Sequence, residues 1–274
     1  MNNLDKLKEL LAVPTVTYDE KLLVDYLSTL LTEKGANHKR DDMGNIMVFK
    51  GDAKHYPCLV AHTDTVHSIE GDIEIKEVMR KNYGGVLSRA LTGYRPGTDI
   101  PTGCGGDDKS GVFICLEMFD LLDNVMMFFP VSEETGCYGS KAAPSEWFKD
   151  VGYFIQFDSP EGNTMSGSLR GKDIYDKEGE FFGLINEQLE YIEPQRHPYT
   201  DVAVLGTRFG VECLNLPAGY YNYHRSNEYV VLDDVEKAIA LGLSLVGVLG
   251  EKKYKYIKPP ITWGIEDPIH IFEA

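Results

Sequence analysis

Five short segments of this sequence carry side chains that bind cations or move protons. His62 and Asp64 stand in Val60-Ala61-His62-Thr63-Asp64-Thr65. Asp107 lies in the turn Gly103-Cys104-Gly105-Gly106-Asp107-Asp108-Lys109-Ser110-Gly111. Glu133 and Glu134 precede Thr135-Gly136, Asp158 follows the apolar run Tyr153–Phe157, and His224 lies in Tyr223-His224-Arg225-Ser226-Asn227-Glu228. Two histidines with several carboxylates suit zinc and, less selectively, manganese or cobalt. One carboxylate can span two cations with its two oxygens, and another can fix a histidine ring and raise its basicity. Two cations about 3.5–4 Å apart can clamp both a hydroxide and the carbonyl under attack, and a free glutamate can carry the proton to the leaving amine. Taken singly, each segment has an ordinary reading: a structural His-x-Asp, a solvated glutamate pair, a turn-capping aspartate, a surface histidine. The glycine turn lacks the GxxxxGK[ST] spacing of a phosphate loop and presents acids where a phosphate needs donors. It is the conjunction that points to a metal-assisted hydrolase.

These groups need a frame that brings them together, and the hydrophobic pattern supplies one. Cys58–Ala61, Val125–Val131 and Tyr153–Asp158 read as buried strands, each ending at one of the segments above. Ile46–Phe49, Val202–Leu205 and Leu214–Gly219 read as further strands. Helices are expected over Leu4–Leu11, from a cap at Thr17–Glu20 to about Gly35, over Val112–Leu122, Glu178–Leu189 and Val231–Leu249. Residues 67 to 103 read as a loop-rich excursion with a hairpin. The alternation implies an α/β fold, three layers α/β/α, with a mixed, largely parallel central sheet. In such sheets ligands sit outside the carboxyl ends of the strands, where His62, Glu133, Glu134 and Asp158 all fall. Residues 1–250 are expected to form one catalytic domain, with 251–274 as an extension packed on it.

Composition narrows the function classes. With 27 basic and 43 acidic side chains the formal charge is −16, which repels phosphate backbones and argues against nucleic acid. No stretch approaches the roughly 18 apolar residues of a membrane span, and no signal segment opens the chain. The five cysteines are scattered without a CxxC pair, which speaks against a cysteine-rich zinc site and for a reduced, cytoplasmic setting. Nothing in the sequence marks an obligate protein partner.

In order and context, these segments resemble the co-catalytic zinc metallopeptidases of the peptidase T, glutamate carboxypeptidase and acetylornithine deacetylase family. The resemblance runs from about Asp42 to Leu249, and the Gly106–Gly111 turn is closest to the peptidase T form. It implies two zinc ions, with manganese or cobalt as substitutes. His62 and Asp158 would hold one and Glu134 and His224 the other, with Asp107 bridging them before a cis bond to Asp108. Asp64 would orient His62, Glu133 would be the general base, and the motif's last acid, Glu228, would cap a helix. Many members insert a dimerisation domain between the fourth and fifth motifs. Here only 224 − 158 = 66 residues separate Asp158 from His224, room for a helix and a loop, so a single-domain form is expected. Substrate contacts supplied by that inserted domain do not carry over. His197 and Arg225 are the candidate substrate contacts in their place, with Asp201 as a possible brace beneath the site.

The implied activity is hydrolysis of a peptide bond near the amino end of a short peptide. Deacylation of N-acyl amino acids uses the same centre and is the alternative. A non-catalytic binding protein on the same fold is a third reading, disfavoured because the base and all five ligand positions are filled.

Overall fold

The structure is a computed structural model that describes residues 3–67, 71–169, 172–197 and 200–256. In chain order its elements are α1 (Asn3–Ala12), α2 (Lys21–Glu33), β1 (Asn37–Arg40), β2 (Ile46–Lys50), β3 (Tyr56–Val60), β4 (Glu74–Lys81), β5 (Leu87–Tyr94), α3 (Gly106–Leu121), β6 (Val125–Phe129), α4 (Tyr138–Ala142) and β7 (Val151–Ser159). There follow β8 (Thr164–Leu169), β9 (Lys172–Asp173), α5 (Glu180–Ile185), β10 (Glu193–His197), α6 (Asp201–Phe209), β11 (Cys213–Pro217), β12 (Tyr220–Tyr221), β13 (Tyr229–Val231) and α7 (Leu232–Leu249).

The central sheet has the order β1-β2-β6-β3-β7-β11-β8-β10, with β9 added to β8. Its middle is parallel: β6 with β3, β3 with β7, and β7 with β11. These strands are buried along their length because helices cover both faces, which is why they read as unbroken apolar runs. α3 packs on β7 beside α1 and α7, while α6 packs on β7 and β11. Close approach of α3 to β7 requires glycine at 111, where a Cβ would lie 2.0 Å from the Phe157 carbonyl oxygen. A second, antiparallel sheet, β12-β13-β5-β4, is built on the expected hairpin of residues 74 to 94.

Three expectations need correction. Val202–Leu205 is not a strand but part of α6, which ends at Gly210 in the left-handed region; a short apolar run does not distinguish a strand from a buried helix. The interval between Asp158 and His224 holds more than a helix and a loop: besides the expected strand at β11, it supplies β8, β9 and β10 to the central sheet. No side chain among Thr17–Glu20 caps α2. The Glu20 carboxylate instead accepts the N–H and hydroxyl of Ser132 at 3.0 and 3.1 Å, tying the start of α2 to the turn after β6.

Of residues 251–274, the described part is bonded to the rest of the chain: Tyr254 N–H donates to the Gly152 carbonyl and Glu212 N–H to that of Tyr254. Residues 257–274 of the extension lie outside the described residues. All five cysteines are buried and none forms a disulfide among the described residues. No helix of the described residues is long and apolar enough to cross a membrane.

Glu212, 3% exposed, gives the fold a pH dependence. Burial pushes its carboxyl from 4.5 up to about 7, partly offset by the Asp176 N–H it accepts. The folded state therefore holds a proton that the unfolded chain has released. Stability fully present below about pH 4.5 is lost as pH rises through about 7. Glu212→Gln should remove this part of the slope and exceed the wild type in stability at pH 8, as read by urea midpoints at pH 5 and 8. Equal midpoint shifts at the two pH values would refute it.

Candidate functional site

The carboxyl ends of β3, β6 and β7 lie side by side, so His62, the Glu133-Glu134 turn and Asp158 meet at one edge of the parallel sheet. β3 ends at Val60, and the next residues leave the sheet. His62, 1% exposed, sets its Nδ1 3.0 Å from the carbonyl oxygen of Asp64, so Nδ1–H donates and Nε2 is free to face inward. That Nε2 lies 3.1 Å from Asp107 Oδ1 and 3.5 Å from Asp158 Oδ1. Asp64 orients the ring chiefly through its carbonyl, its carboxylate lying 3.4 Å away. The carboxylate accepts the N–H groups of Glu133 and Glu134, at 2.8 and 3.1 Å, and the Thr17 hydroxyl.

Asp107 stands where the glycine turn enters α3, and its peptide bond to Asp108 is cis. Its second oxygen, Oδ2, lies 3.1 Å from His224 Nε2, so its two oxygens face two different histidines. His224 Nε2 is also 3.0 Å from Glu134 Oε1. The His224 ring is held edge-on to Tyr223, with centroids 4.9 Å apart. Glu133, 6% exposed, accepts a weak bond from Cys137 Sγ at 3.6 Å.

Ligand atoms of His62, Asp107 and Glu134 lie within 4.8 Å of one another, as do those of His62, Asp108 and Asp158. Asp108 is the weaker member, since its two oxygens already accept the N–H groups of His62 and Gly111. Two donors each about 2.05 Å from a tetrahedral zinc are about 3.3 Å apart. The nitrogen–oxygen separations of 3.0–3.5 Å around His62 and His224 match that edge. The residues present therefore fit a metal centre.

The electrostatics agree. Burial opposes a charge on His62, but the carboxylates of Asp107, Asp158 and Asp64 outweigh it and hold the imidazolium well above its ordinary range. Asp107 and Glu134 beside His224 push its pKa up to about 10. Burial would raise Asp107, yet the two histidines hold it well below the usual carboxylate range. Burial, with the Asp158 and Asp201 carboxylates adding to it, pushes Glu133 well up.

A second ring of side chains holds the ligands. Asp158 accepts bonds from Gln156 at 3.0 Å and from the Tyr220 hydroxyl at 3.3 Å. Fully buried Gln156 also donates to Asp201 and accepts from the Thr200 hydroxyl and the Val202 N–H. Asp201 thus connects to Asp158 through Gln156, and burial lifts its carboxyl to about 7. Residues such as Gln156 and Asn215 carry no motif. Their one signal is a polar side chain inside an otherwise apolar strand.

Glu228 is the largest departure from expectation. It caps no helix, since α7 starts at Leu232. It is fully buried, and its carboxylate faces the glycine turn. Arg225 lines a cleft of about 490 Å³ beside His224, with Glu161, Tyr221 and Tyr223 in the same wall. His197 closes β10, the edge strand of the sheet; its side chain lies outside the described residues.

No family model and no curated protein matches the sequence. Solved structures do match the fold. A tripeptidase from Staphylococcus aureus subsp. aureus Mu50 superimposes with a TM-score of 0.69 at 14% identity, over 90% of this chain and 97% of that one. Aminopeptidase PepT from Bacillus cereus ATCC 10987 gives 0.68 at 15%, over 89% and 97%. The Pyrococcus horikoshii TET1 peptidase, which can assemble into a tetrahedron or an octahedral shell, gives 0.61 at 17%, over 89% and 99%. The chain thus shares its fold with tripeptidases and aminopeptidases, the group that its motifs resemble.

Proposed function

We propose that this chain is a metal-dependent exopeptidase that removes the amino-terminal residue of short peptides, with residues 1–250 as its catalytic unit and 251–274 as an appended segment. The observation that carries the reading is Asp107, whose two oxygens face His62 and His224 at 3.1 Å each, beside the buried Glu133. In this reading His62 and Asp158 would hold one zinc and Glu134 and His224 the other, with Asp107 shared between them. When bound, such a pair polarises a peptide carbonyl and makes water acidic near neutral pH. Manganese or cobalt would serve the same donor set.

The chain's own residues do the rest. Asp64 fixes the His62 ring and, through two backbone N–H groups, the Glu133-Glu134 turn. Glu133 takes the proton of the attacking water and returns it to the departing amine nitrogen. Its burial makes the carboxylate a stronger base than an exposed glutamate, as the step needs. Arg225, in the cleft wall next to His224, receives the substrate's carboxylate. His197 is a second candidate substrate contact.

The names of the structural neighbours favour peptides over the alternative, N-acyl amino acids. Incubation of the zinc-loaded protein with tripeptides and with N-acyl amino acids decides between them. Release of the first residue from tripeptides is expected. Cleavage of the acyl substrates alone would replace the peptidase reading by the deacylase one, and cleavage of neither would favour a binding protein.

A further inference from the structure

We infer that Glu228 is a positioning residue that locks the loop carrying His224 to the turn carrying Asp107, and so sets the spacing of the two metal positions. The inference rests on reading His224 and Asp107 as ligands. The Glu228 carboxylate is 0% exposed. Its Oε2 accepts the N–H of Gly105 at 2.7 Å, the N–H of Cys104 at 3.1 Å and His67 Nε2 at 3.2 Å. Its Oε1 accepts the N–H of Asp107 itself at 3.1 Å. Three backbone donors converging from one turn form a small anion-binding nest, filled here by a side chain of the protein.

Glu228 lies four residues beyond His224 on a short loop. Ser226, between them, accepts the Gly103 N–H at 2.7 Å. The loop is thus sewn to the glycine turn at Gly103, Cys104, Gly105 and Asp107. Glycine at 106 permits the approach, because a Cβ there would lie 2.6 Å from Val230 and 3.0 Å from Tyr220. The same contacts solve a problem of the site. His62 is buried and held by Asp64 and Asp108, whereas the His224 side chain is 41% exposed and its backbone is in the left-handed region, at φ 61°. A carboxylate can bridge two cations only if both histidines keep a set distance from it. Glu228 supplies that constraint for the second one, and it holds Asp107 by the backbone while leaving both side-chain oxygens free.

Two measurements on Glu228→Gln test this, with Thr92→Val as the control. Thr92 donates to the Glu228 carbonyl at 2.7 Å, so its loss weakens the packing of the same residue and spares the carboxylate. In metal-free protein, hydrogen exchange over residues 103–107 and 222–228 should speed up together by at least about tenfold in E228Q and stay near wild type in T92V. In calorimetric zinc titrations, E228Q should hold one zinc within about threefold of the wild type and bind the other about 10–100-fold more weakly, the usual cost of removing a partner behind the ligands. Glu228→Asp, which keeps the charge and shortens the reach by one carbon, should give intermediate values and serves if the glutamine variant does not fold. Unchanged exchange in both segments, or equal loss of both zincs in E228Q and T92V, would overturn the inference. A wild type that binds no second zinc while exchange behaves as expected would instead overturn the two-metal reading.

Discussion

Replacing Glu133 with glutamine should leave both zinc ions bound and lower kcat by about 10²–10⁴-fold, with KM little changed. Glutamine keeps the shape of the side chain, and the N–H of residue 133 would still be held by Asp64 at 2.8 Å. What is lost is a basic oxygen in a place where burial raises its proton affinity. Water exclusion does not depend on the charge, so substrate binding should survive. Zinc content and steady-state rates on one tripeptide together decide the matter. Near-wild-type kcat would show that another group moves the proton, whereas parallel loss of zinc would show that Glu133 is a ligand.

His224→Ala should reduce bound zinc from two equivalents to one and abolish most activity. His224 Nε2 is in direct contact with both Glu134 Oε1, at 3.0 Å, and the outer oxygen of Asp107, at 3.1 Å. Without it, two carboxylates would have to hold a cation at a half-exposed position, and affinity there should fall on the order of a hundredfold or more. The companion variant Arg225→Ala, altered at the very next residue, should keep both zincs and raise KM for peptides instead. Metal analysis after dialysis separates the two. Two zincs in H224A would remove His224 from the ligand set.

Much of the candidate centre is legible in the sequence because His62, Glu133, Glu134 and Asp158 each follow a run with an unambiguous signal. Val125–Phe129 and Val151–Ser159 are buried on both faces, so their apolar runs end where the parallel sheet ends, and the acids stand just beyond. The spacing of the glycine turn likewise located Asp107. The region between Asp158 and His224 was harder. β8 is rich in serine and glycine, β10 holds glutamate, proline and arginine, and neither carries the apolar run that marks an interior strand. The α6 helix was misread because Val202–Leu205 has the β-branched, apolar look of a strand, while the signals that decide it, Asp201 in the first turn and Gly210 after the last, lie outside the run. Glu228 was placed in the right motif but given the wrong task. Its partners are backbone N–H groups more than 120 residues away, and no local pattern reports such a contact.

The five buried thiols have a practical use. Burial suppresses ionisation at Cys58, Cys104, Cys115 and Cys137, so a thiol-specific alkylating reagent meets neither an accessible nor an ionised sulfur in the closed protein. Each modification must wait for the surrounding segment to open. Cys58 times the central sheet, Cys115 the long helix on its face, Cys104 the glycine turn and Cys137 the loop behind Glu133. The native chain thus carries its own set of clocks for local opening, readable residue by residue in a mass spectrometer without any engineered label.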